Sequence, residues 1–84
     1  MKDKYSQQRV ILAAFLADMR KGSGKSQIEL AQALGLTEQI IEEWETGKRN
    51  MDIAELRTYC QAIDLPLADC IAFLEKMFSQ ISDS

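Results

Sequence analysis

The amino-acid sequence predicts an all-α protein in which five helices form a single domain over residues 1–84. Apolar residues recur at spacings of three and four through most of the chain, as they do in helices that bury one face, and no segment shows the alternation of a β-strand. The chain has only four glycines and one proline, and they fall between the runs of helical period. These breaks set the predicted order of five helices.

The first two predicted helices are bounded by glycines and by a cap. The first covers residues 6–21 and ends at Gly22-Ser23-Gly24, where two residues lack the Cβ that restricts backbone conformation. The second begins after Ser26, which precedes Glu29 by the three residues of a capping box, and it ends at Gly35. The inward residues of these helices are predicted to be Leu12, Phe15, Leu16, Met19, Leu30, Ala31 and Leu34.

The third and fourth helices begin at residues that commonly cap helices. Thr37 is a suitable N-cap for a helix over residues 38–46, which Gly47 would end. Asp52 precedes Glu55 by three residues and predicts the start of the fourth helix. The inward residues here are predicted to be Ile41, Trp44, Leu56, Tyr59, Cys60 and Ile63.

The fifth helix, over about residues 66–81, carries two apolar stripes. Pro66 suits its first turn, where a backbone donor is not needed. One stripe, expected to face the core, consists of Leu67, Ile71, Leu74 and Phe78. The second stripe, predicted to form a homodimer interface, consists of Cys70, Phe73, Met77 and Ile81. The alternative is that a small domain buries the whole helix within the monomer.

The composition excludes several kinds of chemistry. The chain has no histidine, which is the usual general base and the commonest metal ligand, so we expect no catalytic site, metal or cofactor. Cys60 and Cys70 are too few for a zinc site, and we expect buried thiols rather than a redox pair. No apolar run approaches the roughly 20 residues of a membrane span, and the start lacks signal-peptide features. We therefore expect a cytoplasmic protein with no membrane partner.

The second and third helices, joined by Gly35-Leu36-Thr37, are predicted to form a helix-turn-helix over about residues 26–46. The residues from Ser26 to Thr37, followed by Ile41, Trp44-Glu45, Gly47 and Lys48-Arg49, resemble the Cro and phage-repressor family of DNA-binding domains. The resemblance extends from about Leu16 to Leu67. It implies the five-helix lambda-repressor-like fold and a repressor-like transcriptional regulator that binds double-stranded DNA as a dimer.

The resemblance also implies roles for individual residues. The third helix would enter the major groove, with base contacts from Glu38, Gln39, Glu42 and Glu43. Phosphate contacts are predicted for Lys25, Gln27, Thr37, Thr46, Lys48 and Arg49. In the family, an arginine late in the first helix pairs with a glutamate near the end of the third, so Arg20 and Glu45 are predicted to form a structural ion pair. Two solvated charges are the alternative.

The distribution of charge leaves a second function open. The formal net charge is −3, but residues 1–49 hold eight basic and seven acidic side chains, and the acidic excess lies in residues 50–84. On the third helix, however, Glu38, Glu42 and Glu43 would face a polyanion. The alternative function is a helix-turn-helix module that binds a protein, in an antitoxin-like or antirepressor-like role, with weak or no DNA binding. No room remains for a ligand-binding domain, so we expect no small-molecule ligand.

Overall fold

The computed structural model describes residues 4–82, with side chains for residues 6–80, and contains five α-helices and no β-strand in that range. The helices are α1 (Lys4–Gly22), α2 (Gln27–Leu34), α3 (Glu38–Thr46), α4 (Ile53–Ala62) and α5 (Leu67–Ser82). The all-α class is confirmed, and the boundaries agree with the predicted ones within two residues. None of these helices is long and apolar enough to cross a membrane.

Reciprocal capping boxes fix the starts of α2 and α4. The Ser26 hydroxyl accepts the Glu29 backbone N–H at 3.0 Å, and the Glu29 carboxylate accepts the Ser26 N–H at 2.8 Å. Asp52 and Glu55 repeat this arrangement at 2.7 and 2.9 Å. Each box satisfies two donors that a helix start leaves unpaired, so both helices begin where the sequence predicted.

Left-handed glycines end α2 and α3. Gly35 has φ 70° and Gly47 has φ 79°, a region that strains residues with a Cβ. After Gly35, the Leu36 N–H donates to the Ala31 carbonyl at 2.9 Å, and the Thr37 hydroxyl then accepts the Ile40 N–H at 3.3 Å. The turn between α2 and α3 is therefore set by its own backbone and cap.

All five helices contribute to one core. The side chains with almost no exposed surface are Leu16, Leu30, Ile41, Tyr59, Cys60 and Cys70. The rings of Trp44 and Tyr59 meet edge to face, with centroids 6.3 Å apart at 71°, which is a favourable aromatic geometry. α3 packs against both α1 and α2, so these two helices set its orientation.

The rotation of α1 and α5 differs from the prediction at three residues. On α1, Met19 was expected inside but is 36% exposed, because the buried face runs through Ala13, Leu16 and Arg20. On α5, Ile71 is 42% exposed and Cys70 is fully buried instead. The prediction that Cys70 belongs to a dimer surface is therefore wrong. Spacings of three and four fit a stripe through either residue, and only the packing of α5 on α1 and α4 selects Cys70.

The two thiols lie within the core, as expected of small buried residues. Both are free and neither has exposed surface. Burial raises the pKa of Cys60 to about 12, and burial raises the pKa of Cys70 as well. Thiolate, the reactive form, is thus disfavoured at both positions. Among the residues that the structure describes, no group of three or more acidic or sulfur side chains could hold a metal ion.

Candidate nucleic-acid interface

A buried ion pair joins α1 to the end of α3. The Arg20 Nε donates to Glu45 Oε2 at 2.7 Å, and Arg20 Nη2 donates to Glu45 Oε1 at 2.9 Å. Arg20 is 7% exposed and Glu45 is 8% exposed, so these charges are enclosed by the protein rather than solvated. The two parallel bonds fix both distance and angle, because the guanidinium and carboxylate planes match. The pair therefore orients α3 on α1.

Glu45 also connects α3 to α2 and α4. Its carboxylate accepts hydrogen bonds from the Tyr59 hydroxyl and, at 3.0 Å, from Gln27 Nε2. Burial by itself raises the pKa of Glu45, but the bonds from Arg20, Tyr59 and Gln27 outweigh it and hold the pKa below its ordinary value. Burial and the bond to Glu45 raise the pKa of Tyr59. Arg20 Nη1 further donates to the Lys25 carbonyl at 2.8 Å.

Sequence reasoning missed the two contacts that Gln27 and Tyr59 make with Glu45. The sequence predicts only a phosphate contact for Gln27 and only a core position for Tyr59. The available signal was the hydroxyl of Tyr59, since the other buried residues of α4, Leu56 and Cys60, have no hydroxyl. A buried hydroxyl needs a polar partner, and the carboxylate of Glu45 is that partner.

The predicted base-contacting residues lie along the outer side of α3. Glu38 and Gln39 are exposed, and Glu42 and Glu43 are half-buried. Glu43 is already engaged, because its carboxylate accepts from Gln39 Nε2 at 3.0 Å and from Arg49 Nε at 2.9 Å. The hydrogen bond from Gln39 and then that from Arg49 lower the pKa of Glu43. Glu38 and Glu42 have no ion-pair partner among the described side chains.

The predicted phosphate-contacting residues flank this surface at two places. Lys25 and Gln27 are half-buried at the start of α2, and Thr37 is exposed at the start of α3. At the other end of α3 lie its last residue, Thr46, and, beyond Gly47, Lys48 and Arg49, and all three are exposed. The Thr46 hydroxyl donates to the Glu42 carbonyl at 3.0 Å, and Arg49 is paired with Glu43.

The predicted dimer residues on α5 do not share one environment. Phe73 is 41% exposed and stacks on Phe15 of α1, with ring centroids 4.3 Å apart. Met77 is half-buried, and the side chain of Ile81 lies outside the described residues. With Cys70 buried, the exposed apolar surface here is the junction of α1 and α5, where Met19 is exposed as well.

Helices α2 and α3, joined by a three-residue turn, with α3 exposed along one side, define a helix-turn-helix domain. The chain belongs to the helix-turn-helix family of Cro and phage-repressor type, whose family model matches residues 16–70. This is a family of DNA-binding transcriptional regulators rather than enzymes, and the expected family and fold are confirmed.

Two solved structures are similar to the chain over most of its length. An XRE-family like protein from Pseudomonas syringae pv. tomato str. DC3000 is 26% identical, with a TM-score of 0.81 over 87% of this chain and 89% of that chain. The clp gene regulator ClgR from C. glutamicum is also 26% identical, with a TM-score of 0.74 over 82% of this chain and 88% of that chain. Among curated proteins, none matches the chain.

Proposed function

We propose that the protein binds double-stranded DNA sequence-specifically and regulates transcription, with α3 in the major groove. The observation that carries the proposal is the buried network of Glu45, which holds α3 at a fixed angle to the start of α2. The similarity of the chain to a clp gene regulator supports a regulatory role. Acting on DNA of phage, plasmid or bacterial-chromosome type would place the protein in the cytoplasm.

In this arrangement the outer side of α3 meets base edges, and residues at both of its ends meet phosphates. The proposed base contacts are Glu38, Gln39 and Glu42, with Gln39 suited to adenine and a glutamate suited to the cytosine amino group. Lys25, Gln27 and the backbone donors at the start of α2 would hold one phosphate segment. Thr37, Thr46 and Lys48 would hold the backbone beside α3.

The acidity of α3 is less adverse than the sequence suggests. Arg49 Nη2 lies 2.8 Å from Glu43 Oε1, so the charge of this carboxylate is compensated within the protein. Only Glu38 and Glu42 then oppose the DNA charge, with Lys25 and Lys48 on either side. We therefore expect DNA binding to be measurable at low salt and to weaken as salt rises.

A titration of labelled duplex DNA at several salt concentrations tests the proposal. Each phosphate contact should contribute about −0.9 to the slope of log K against log salt, because bound counterions are released. Glu42→Lys should tighten binding to random duplex, since it replaces a repelled charge at the groove. Glu75→Lys on α5 makes the same change in net charge away from α3 and is the matched control. Equal effects of the two variants would contradict the placement of α3.

The carboxylates of Glu38, which is exposed, and Glu42, which is half-buried, have no ion-pair partner among the described side chains, and they favour one second candidate, a module that binds a basic protein surface through α3. The two functions separate in the same titration. If the protein binds neither random duplex nor the DNA upstream of its own gene at low salt, the DNA-binding proposal fails and the protein-binding candidate takes its place.

We also propose that the protein is a homodimer that contacts its partner through the junction of α5 and α1. The support is the exposed apolar surface around Phe73, which continues through the stacked ring of Phe15 to Met19 on α1 and to the half-buried Met77 one turn further along α5. A two-fold dimer presents two copies of α3, which matches the palindromic sites that helix-turn-helix dimers bind.

Sedimentation at micromolar concentration tests the dimer. Phe73→Glu should shift the protein to monomer, because it places a charge in the apolar contact. The control is Ile53→Glu, which alters a residue that is 62% exposed on α4, outside the proposed contact. A wild-type protein that stays strictly monomeric would rule the dimer out.

A further inference from the structure

Three side chains at the outer edge of α3 form a hydrogen-bonded chain that ends at a predicted base contact. Arg49 Nε donates to Glu43 Oε1 at 2.9 Å, and Arg49 Nη2 lies 2.8 Å from the same oxygen as an ion pair. The other oxygen of Glu43 accepts from Gln39 Nε2 at 3.0 Å. Gln39 lies one helical turn before Glu43, and Arg49 comes from the loop that follows α3. Both carboxylate oxygens of Glu43 are therefore in use.

The carboxylate of Glu43 determines which way the Gln39 amide points. An ionised carboxylate accepts hydrogen bonds and donates none, so only the NH₂ end of the amide can face it. One N–H of Gln39 is used in this contact, and the second N–H and the carbonyl oxygen remain free to bond elsewhere. These two groups are the donor and acceptor that a glutamine uses to read adenine N7 and N6.

Arg49 serves this arrangement through charge and position. Its guanidinium keeps Glu43 ionised and compensates a negative charge that would otherwise face DNA. The loop that carries it is fixed to α3, because the backbone N–H groups of Lys48 and Arg49 both donate to the Glu43 carbonyl, at 2.9 and 3.2 Å. Arg49 is thus held on Glu43 through both its main chain and its side chain.

We propose that Glu43 is a positioning residue that sets the specificity of the protein. Its carboxylate orients the Gln39 amide for adenine, and Arg49 holds that carboxylate and compensates its charge. The inference rests on the proposed DNA binding by α3. It reassigns Glu43 from a base contact to the support of one.

The experiment first selects binding sites from a random duplex library. The base pair at which Gln39→Ala changes the preference is then identified in the selected site, and affinity is measured with each of the four bases at that position. The wild-type protein should prefer adenine over guanine about tenfold there, the range of one bidentate base contact. Glu43→Ala should abolish most of this preference. Glu43→Gln should do so too, because a glutamine at 43 can donate or accept and therefore permits either orientation of the Gln39 amide.

Glu42→Gln is the matched control, since it removes one negative charge from the same helix without touching Gln39. Glu42→Gln and Glu43→Gln should both bind random duplex more tightly than the wild-type protein, but only Glu43→Gln should lose the adenine preference. In the Gln39→Ala background, Glu43→Gln should cause no further change in base preference, because a residue that acts through Gln39 has nothing left to orient.

Two further results would overturn the inference in different ways. If the protein binds DNA with a Gln39-dependent adenine preference that Glu43→Ala and Glu43→Gln leave intact, the positioning role fails and the DNA-binding proposal stands. If the wild-type protein binds no duplex, both fail together.

NMR of the Gln39 side-chain amide in the free protein adds a direct test. The order of this amide should fall in Glu43→Ala and stay unchanged in Glu42→Gln, and equal order in all three proteins would overturn the inference.

Discussion

Glu45 accepts hydrogen bonds from three side chains that come from α1, α2 and α4. Its removal leaves the buried guanidinium of Arg20 without a counterion, and uncompensated buried charge is more costly than the pair itself is stabilising. A single side chain near the end of α3 thereby influences the packing of four helices.

Replacing Glu45 with alanine is expected to lower the free energy of unfolding by about 3 to 5 kcal/mol, the range for a broken buried pair. Urea unfolding followed by the fluorescence of Trp44 provides the measurement. Glu75→Ala, which alters an exposed carboxylate on α5, should change stability by less than about 0.5 kcal/mol. Equal losses in the two variants would show that the network is not a major source of stability.

The pH dependence of stability should report the same carboxylate. The folded-state pKa of Glu45 lies below its ordinary value of 4.5. The contribution of this carboxylate to the free energy of unfolding is therefore present above pH 4.5 and is lost as the pH falls through the folded-state pKa. Unfolding free energies between about pH 6 and pH 3 should therefore decline more steeply in the wild-type protein than in Glu45→Gln. Parallel curves for the two proteins would contradict the lowered pKa.

At the scale of elements, the left-handed end of α2 sets the direction in which α3 leaves the turn. Gly35→Ala should cost about 1 kcal/mol, because alanine is strained at φ 70° even though open space surrounds this position. That loss corresponds to a fall in Tm of about 4 to 8 °C for a domain of this size.

The matched control is Gly22→Ala at the end of α1. No atom lies within 4 Å of a Cβ added at Gly22, and its φ is not positive, so alanine should be neutral or slightly stabilising there. Thermal unfolding of the two variants side by side separates the effect of backbone conformation from that of side-chain volume.

Helix existence and helix boundaries were predictable from the sequence because their causes are local. Ser26 and Glu29 lie three residues apart, and the capping box they form needs nothing from the rest of the chain. The rotation of a helix about its axis has no such local cause. Cys70 and Ile71 fit the apolar period of α5 equally well, and the packing of α5 against α1 and α4 decides between them. The Arg49 contact with Glu43 was missed because the chain has to turn at Gly47 before the two side chains meet.

At the scale of the whole molecule, the thiols of Cys60 and Cys70 report on the integrity of the core. Both are fully buried and both have raised pKa values, so a thiol reagent should react only when α4 and α5 separate. We expect almost no reaction with DTNB in buffer and two thiols per chain in urea. Rapid reaction of one thiol in buffer would show that α5 detaches without global unfolding.

The buried network of Glu45 divides α3 lengthwise into two independent halves. Ile41, Trp44 and Glu45 belong to the scaffold, whereas Glu38, Gln39, Glu42 and Thr46 contribute little to the core. The outward half can therefore be rewritten without disturbing the inward half. With DNA binding by α3 as proposed, grafting a relative's residues onto these positions and onto position 43 should transfer that relative's DNA preference and would make this small chain a scaffold for redesigned transcription switches.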